Sequence, residues 1–275
     1  MFDVNGSFSR FLPALQVRTK LAFNLSALSE RACLLKAQPF SVDIVFYRCL
    51  EGGRISVSSD KRCIHIDEDS WTTKPELVLN RIIAVTGSAR RVHARETVAA
   101  RIGKHEALAF QNEHHLHVPL PGKYRYGLFL RGELVTIAVF SGGRRLNGMP
   151  ADYRSFELLR FCHKQGFRVV GGLGKLLDAF QREFDPGDIM TYADKDWADG
   201  TNYRKTGFEF AGEIAPQLFW VDTGSMKRYY ERTLPSAIAA LSAEERKQAG
   251  FTPIENGGSI KLIKPFRQPL DYLKS

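Results

Sequence analysis

A glycine-rich segment, residues 167–180 with the sequence FRVVGGLGKLLDAF, is the first place where residue types suggest chemistry. Gly171, Gly172 and Gly174 lie between an apolar pair and an amphipathic run. Glycines at the junction of a strand and a helix let the backbone approach a ligand closely, and the first turn of a helix presents unpaired N–H groups. Because those groups carry the positive end of the helix dipole, the segment predicts a site for phosphate or diphosphate.

Three kinds of site use such a segment: a P-loop, a dinucleotide-binding turn and an acyl-CoA site. The P-loop pattern GxxxxGK[ST] fails because Leu176 follows Lys175, and GxGxxG fails because no third glycine falls at the required spacing. The acyl-CoA site is the interpretation that fits better. Lys175, one turn into the predicted helix, is expected to contact a phosphate; the alternative is a solvated helix face.

Two motifs, in this order, resemble the Gcn5-related N-acetyltransferase (GNAT) superfamily. In that family a Q/R-x-x-G-x-G/A loop binds the pyrophosphate of acetyl-CoA, and Arg168, Gly171 and Leu173 fall on its marked positions. Leu173 departs from the glycine or alanine expected there. The second motif is NYRKTGF, residues 202–208, in which a tyrosine precedes a Gly-Phe pair by four residues.

The resemblance implies that acetyl-CoA or another acyl-CoA is the cofactor. It also implies that Tyr203 protonates the departing CoA thiolate, a role that suits a neutral phenol; the alternative is an aromatic residue that packs under the last strands. The positions expected to contact the cofactor lie on the fourth predicted strand and along the glycine-rich segment: Phe161, Arg168, Val169, Val170, Gly171, Gly172, Leu173, Gly174 and Lys175.

A narrower resemblance concerns bacteriophage proteins. YGLFLRGELVTIAVF, FELLRFCHKQGFRVVGGLGKLL and TYADKDWADGTNYRKTGF are similar to GNAT-like modules of phage proteins, and the YAD…G…Y part resembles the phage Mom proteins, which modify adenine in DNA. The resemblance covers about residues 65–222 and implies a nucleobase amine as acceptor. The competing hypothesis is a non-enzymatic module of the same fold that binds DNA or RNA or supports a nuclease.

Acyl transfer to an amine also needs a group that handles the amine proton. Glu157 lies on a predicted strand where the family often places a base; the alternative is an exposed carboxylate paired with Arg160 or Lys164. Asp194 ends the next strand, where it either orients the amine or caps the following turn. His114, in NEHHLH, is expected to line the substrate cleft as a base, and no metal site is predicted there, because adjacent histidines do not share one face of a helix.

Arginines occur in two short runs, SARRVHAR and SGGRRLNG. The second run places Arg144 and Arg145 on a flexible loop, where they are expected to bind nucleic-acid phosphates. The first run contributes Arg90, Arg91 and Arg95. The formal net charge of +9 agrees with a polyanionic partner. The alternative is an ordinary basic surface.

Composition places the chain among globular proteins. Its 275 residues are 44% hydrophobic, and no apolar run reaches the roughly 18 residues of a membrane-spanning helix. The four cysteines form no CxxC pair, which indicates free thiols in a reducing compartment. We therefore expect a cytoplasmic protein without a membrane partner.

Periodicity predicts the elements that position these residues. From residue 89 onward, strand-length apolar runs alternate with helical patterns, which indicates an α/β (α+β) fold with a GNAT-like mixed central sheet flanked by helices. We expect an N-terminal α+β region of residues 1–88, an acyltransferase domain of residues 89–222, and an extension of residues 223–275 packed on it.

Several segments carry specific expectations. RRVHARETVAARI predicts one strand, PQLFWVD a strand that closes the same sheet, PSAIAALSAEERKQAG one helix, and SIKLIK a last strand. GRISVSS predicts the second strand of an early hairpin.

Overall fold

The computed structural model of the chain describes residues 6–87 and 89–267. The helices in this part are α1 (Phe8–Thr19), α2 (Glu68–Thr73), α3 (Pro75–Thr86), α4 (Lys104–His114), α5 (Gly172–Phe184), α6 (Thr201–Arg204), α7 (Ser236–Ala239) and α8 (Ala243–Gln248). The strands are β1 (Asn24–Ala27), β2 (Ala32–Lys36), β3 (Val42–Tyr47), β4 (Arg62–Asp67), β5 (Arg90–His93), β6 (Val98–Arg101), β7 (Tyr124–Leu130), β8 (Glu133–Phe140), β9 (Ser155–His163), β10 (Phe167–Val170), β11 (Asp188–Asp194), β12 (Glu209–Ile214), β13 (Leu218–Asp222), β14 (Lys227–Tyr229), β15 (Phe251–Glu255) and β16 (Ser259–Pro265).

The chain forms two compact units, each assembled from separate stretches of sequence. The first unit holds the described residues of Met1–Thr86, Asp194–Asp199 and Ile214–Ser259, and the second holds those of Gly87–Ala193, Gly200–Glu213 and Ile260–Ser275. This division differs from the expected one, because residues 223–275 are shared between the units. The last residues of that expected extension, 268–275, lie outside the described residues.

The second unit is built on a seven-stranded sheet with the order β12-β16-β11-β9-β8-β7-β6. Strands β6 to β9 pair antiparallel, and β9 pairs parallel with β11. The predicted mixed central sheet flanked by helices is confirmed.

Helices cover both faces of this sheet because β8 is apolar on both sides. Val139 packs in a cluster with Ala107 and Phe110 of α4, whereas the next residue, Phe140, stacks on Phe180 of α5 with ring centroids 4.1 Å apart. Adjacent strand residues point to opposite faces. The buried residues of α5 follow the helical repeat, so one face of that helix lies on the sheet: Gly172, Leu173, Leu176, Leu177 and Phe180.

Some strands lie elsewhere than the sequence predicts. SIKLIK forms β16, which lies inside the large sheet between β11 and β12. PQLFWVD contains β13, which joins β14 and β15 in a separate three-stranded sheet, because Phe219, Trp220 and Val221 are all buried there. A strand in contact with apolar neighbours on both faces lacks the alternation that would mark an edge strand.

Three other segments differ in type from the expectation. RRVHARETVAARI forms β5 and β6, separated by a 3₁₀ turn over Ala94–Glu96, and β5 pairs parallel with β10. PSAIAALSAEERKQAG forms α7 and α8, because Ser242 caps a new helix by accepting a hydrogen bond from the N–H of Glu245. GRISVSS, residues 53–59, forms no strand.

The first unit contains a four-stranded sheet, β1-β2-β3-β4, in which every residue of β3 is buried. Aromatic rings of α1 pack on it: Phe8 and Phe11 lie 5.3 and 4.9 Å from Phe46, ring centroid to ring centroid. Phe11 also meets Trp71 of α2 edge-on at 5.1 Å. The N-terminal helix is therefore part of this core.

Two half-buried arginines join the separate stretches of the first unit. Arg54 donates to both carboxylate oxygens of Asp67, at 2.5 and 2.8 Å, and to both of Asp196, at 2.8 and 2.6 Å. Arg228 donates to Asp67 at 2.7 Å and to Asp69 at 2.8 and 2.6 Å. Burial alone would raise the pKa of Asp67, but the two guanidinium groups hold it well below its ordinary value.

The structure bears on two expectations from composition, those on the cysteines and on membrane-spanning helices. The four cysteines are free, and Cys33, Cys49 and Cys162 are buried. Within residues 6–87 and 89–267, none of the helices combines the length and apolar character needed to cross a bilayer.

Arg54→Met is expected to destabilise the first unit by about 3–5 kcal/mol, because it leaves Asp196 buried without its cation. All three tryptophans, Trp71, Trp197 and Trp220, lie in the first unit, so tryptophan fluorescence during urea unfolding reports on that unit. Arg10→Ala, at an exposed position of α1, is the control and should change the free energy of unfolding by less than about 0.5 kcal/mol. Equal stabilities of the two variants would contradict the role of the network.

Candidate functional site

Strands β9 and β11 are parallel neighbours that pair only where they begin. The register runs from Ser155↔Asp188 to Glu157↔Met190 and stops there, although β9 continues to His163. Beyond this point the Thr191 hydroxyl donates to the carbonyl of Leu158 at 3.0 Å. We call residues 158–163 of β9 and residues 191–193 of β11, which follow the end of this pairing, the strand gap.

Local interactions fix the start of both strands. The Asp188 carboxylate is buried and accepts hydrogen bonds from the hydroxyls of Ser155 and Tyr153, each at 2.6 Å. On the other side of β9, the register with β8 passes from Val139↔Arg160 to Phe140↔Leu158, so Leu159 forms a bulge. A bulge bends its strand, which agrees with the parting of β9 from β11. Backbone groups of β9 along the strand gap can therefore pair with a ligand.

The glycine-rich segment forms the turn from β10 into α5. Gly171 is the N-cap with φ +77°, a left-handed conformation that favours glycine. The first internal hydrogen bond of α5 runs from the N–H of Lys175 to the carbonyl of Gly171 at 3.0 Å. The N–H groups of the preceding turn, those of Gly172, Leu173 and Gly174, are thus outside the helical ladder and available to an anion.

The glycines differ in what a side chain would meet. A Cβ at Gly172 would lie 3.2 Å from Val169 and 3.3 Å from Leu128, whereas one at Gly174 would meet no atom within 4 Å. The side chain of Leu173 is buried in the core. The departure from the family pattern at Leu173 therefore places no side chain over the turn, and Gly174 is the position that leaves the turn open.

Lys175 is directed to backbone carbonyls. Its ammonium group donates to the carbonyl of Ala94 at 2.8 Å and to that of Thr97. It thereby links α5 to the 3₁₀ turn after β5 and is half-buried, unlike a residue on a solvated helix face. Its contact with a cofactor phosphate stays a prediction.

The strand before the turn alternates between core and surface. Val169 is buried and Val170 is exposed. Arg168 lies in direct register with Arg91 of β5. On β9, the Phe161 ring meets the His163 ring edge-on, with centroids 4.9 Å apart.

His163 is a residue of this region that the sequence interpretation missed. The Thr136 hydroxyl donates to the carbonyl of Val135 at 2.8 Å and lies 2.7 Å from His163 Nδ1. Burial, with a smaller effect of the Arg168 charge, lowers the pKa of His163 to about 4. The signal for it in the sequence was a histidine at the end of a strand.

Glu157 has an unpaired carboxylate beside the strand gap. Its backbone pairs with Ser141, with the Glu157 N–H donating to the Ser141 hydroxyl at 2.8 Å. The two cations named as alternative partners are engaged elsewhere: Lys164 with Glu133, and Arg160 with the carbonyls of Leu159 and Val118. No hydrogen bond or ion pair of the Glu157 carboxylate is found among residues 6–87 and 89–267.

Arg144 lies next to the same place. Its guanidinium contacts Met190 Sδ at 2.8 Å, and Met190 is the register partner of Glu157. Its backbone forms an antiparallel bridge with Ser155. Both Arg144 and Arg145 are exposed.

Three other predicted residues make local contacts. Tyr203 lies on α6, with its ring 5.6 Å from that of Phe208. The Asp194 carboxylate accepts a hydrogen bond from the N–H of Asp196 at 2.9 Å, as expected for a turn cap. The His114 side chain is buried edge-on against Phe110, and burial lowers its pKa. Their catalytic roles stay predictions.

Comparisons with known proteins give distant structural similarities. No family model matches the chain, and no curated protein matches it. The ribosomal-protein-S18-alanine N-acetyltransferase from Escherichia coli has a TM-score of 0.39 at 11% identity, over 62% of this chain and 95% of that chain. A Bacillus subtilis acetyltransferase in complex with CoA has a TM-score of 0.37 at 13% identity, over 62% and 99%. A GNAT family acetyltransferase from Elizabethkingia anophelis with acetyl-CoA bound has a TM-score of 0.34 at 12% identity, over 62% and 99%. The resemblance to phage and Mom proteins gains no support from these comparisons.

The low pKa of His163 predicts a loss of stability in acid. Its pKa is about 4 when folded and 6.5 ordinarily, so the unfolded chain takes up a proton that the folded protein does not. The stabilising contribution is present above about pH 6.5 and falls towards pH 4 by at most about 1.4 kcal/mol per pH unit. Urea unfolding followed by circular dichroism should show a smaller decrease between these pH values for His163→Gln. Equal decreases in the two proteins would contradict the assignment.

Proposed function

We propose that the second unit binds an acyl-CoA and transfers its acyl group to an amine. The observation that carries the proposal is the strand gap, which occurs in the same unit as the left-handed turn at Gly171 and the unobstructed first turn of α5. A parted pair of parallel strands supplies backbone partners for an extended chain, and a helix N-terminus supplies N–H groups for a phosphate.

The residues present fit the parts of CoA. The first turn of α5 suits the diphosphate, because nothing lies where a Gly174 side chain would stand. The edge of β9 at Phe161 offers N–H and C=O groups to the two amides of the pantetheine arm. Arg168 adds a cation beside the turn. When bound, acetyl-CoA supplies an acyl group activated as a thioester.

Glu157 and Tyr203 are the residues that we assign to proton transfer. Glu157 takes a proton from the acceptor amine as the new C–N bond forms, and its unpaired carboxylate supports this role. Tyr203 gives its phenolic proton to the sulfur as the C–S bond breaks. Both are general acid and base roles that such side chains perform in proteins. His114 is the remaining candidate in the second unit for positioning the amine, whereas the role of Asp194, a residue of the first unit, stays a prediction from the sequence.

The acceptor that we propose is the amine of a nucleobase. Arg144 supports it, because this exposed arginine contacts the register partner of Glu157 and thus sets a phosphate-binding cation next to the proposed base. Arg145 follows on the same loop. A base in a duplex must be unstacked to reach such a site, so single-stranded DNA or RNA is the better first acceptor.

Gly174→Glu is expected to abolish stabilisation by acetyl-CoA without harming the fold. The new carboxylate stands in the first turn, where it repels the diphosphate but interacts favourably with the helix dipole. Thermal unfolding with and without acetyl-CoA measures both effects, and a ligand at about 100 times its dissociation constant should stabilise the natural protein by roughly 2.7 kcal/mol.

Gly174→Ala is the matched control for this variant. It adds only an uncharged methyl group at the same position, should stabilise the unliganded protein by up to about 1 kcal/mol, and should keep most of the response to acetyl-CoA. No response of the natural protein at about millimolar ligand, which is the upper end of ordinary KM values, would contradict the function. Salt-dependent DNA binding would then favour the non-enzymatic module.

Glu157→Gln should lower the rate of CoA thiol release in the presence of single-stranded DNA by about 10²–10⁴-fold, because the amide cannot accept the proton. Stabilisation by acetyl-CoA should stay unchanged, since the carboxylate is assigned to the amine. Glu133→Gln, which removes an exposed carboxylate of β8, is the control. An undiminished rate in Glu157→Gln would exclude it as the base.

A further inference from the structure

We propose that Arg91 and Arg168 together bind the phosphate on the 3′ carbon of the CoA ribose, so that the site selects CoA over dephospho-CoA. This proposal rests on the proposed function and adds a residue of β5, an element outside the glycine-rich motif.

The two arginines are direct neighbours in a parallel ladder. Strands β5 and β10 pair from Phe167↔Arg90 to Val170↔His93, and within this register Arg168 stands opposite Arg91. Paired residues of adjacent strands have their Cα atoms about 5 Å apart and direct their side chains to the same face. The next pair, Val169↔Val92, is buried and marks the opposite face as the core side.

Like charges at paired positions destabilise a ladder unless an anion lies between them. No ion pair of Arg91 or Arg168 occurs among residues 6–87 and 89–267. The nearest acidic residue in sequence, Glu96, uses its carboxylate to accept the N–H of His93 at 2.9 Å. Two adjacent guanidinium groups offer several N–H donors in a planar arrangement, which matches a phosphate dianion.

The position of the pair identifies the phosphate. Strand β10 runs directly into Gly171, and three residues of extended chain place Arg168 about 10 Å before the turn. In CoA the 3′-phosphate is separated from the diphosphate by a single ribose ring. A diphosphate on the first turn of α5 therefore brings the 3′-phosphate within reach of long arginine side chains on β10 and β5.

The same face is less suited to a nucleic acid. The ladder is four residues long and presents one arginine pair, whereas a nucleic-acid surface neutralises many phosphates in a row. One pair of cations beside one helix N-terminus matches a small ligand with two phosphorylated positions.

The test measures dissociation constants for CoA and 3′-dephospho-CoA by calorimetry in the natural protein and two variants. The natural protein should bind CoA tighter by roughly tenfold or more, as expected for charge-assisted hydrogen bonds. Arg91→Ala should remove most of this preference by weakening CoA binding about tenfold while leaving dephospho-CoA unchanged. Arg90→Ala is the matched control, since Arg90 lies one residue away over the Phe167 ring, and it should keep the preference.

The outcomes separate this proposal from the function on which it rests. If the natural protein binds neither ligand, the proposed function fails with it. If it binds both equally, or if Arg91→Ala weakens both equally, the acyl-CoA site stands and the phosphate site is overturned. Loss of DNA binding in Arg91→Ala with an unchanged preference for CoA would likewise overturn it. Thermal unfolding of both variants checks that they are folded.

Discussion

The short parallel pairing of β9 with β11 is the constraint on which the candidate site depends. Three residue pairs join these strands, and the buried Asp188, held by two hydroxyls, fixes their common start. Everything further along depends on this arrangement, because the backbone pairing ends at Glu157↔Met190 and β9 is bulged at Leu159. The ladder between β9 and β11 thus ends at the strand gap, and backbone N–H and C=O groups beyond its end can pair with a ligand.

The first unit is stabilised in a different way. Its segments are far apart in sequence, and two arginines connect three aspartates among them. Buried charges are costly to desolvate, so such a network gives its full benefit only when every member is in place. The acidic run that contains Asp67 and Asp69 is engaged in these ion pairs.

The sequence predicts most of the local features and few of the distant ones. The strand, glycine turn and helix around Gly171 could be predicted, because the left-handed turn and the apolar repeat of α5 are both encoded within a few residues. The burial of Leu173, the carbonyl partners of Lys175 and the hydroxyl beside His163 could not, since each depends on an element distant in sequence. Likewise, the pattern of SIKLIK predicts a strand, but it does not predict that this strand lies between β11 and β12. Glu157 was predictable only in part. Its place on a strand could be predicted, whereas the lack of a partner for its carboxylate could be seen only from the positions of Lys164 and Arg160.

The place of β16 in the large sheet has a consequence for synthesis. Because β16 lies between β11 and β12, β12 cannot join the sheet until residues 259–265 have emerged from the ribosome. Until then the outer edge of β11 is unpaired, and an unpaired edge is where chains associate wrongly. Pairing over such a sequence separation also slows folding. The nascent chain is therefore prone to wrong association during a defined interval, which ends when β16 inserts between β11 and β12.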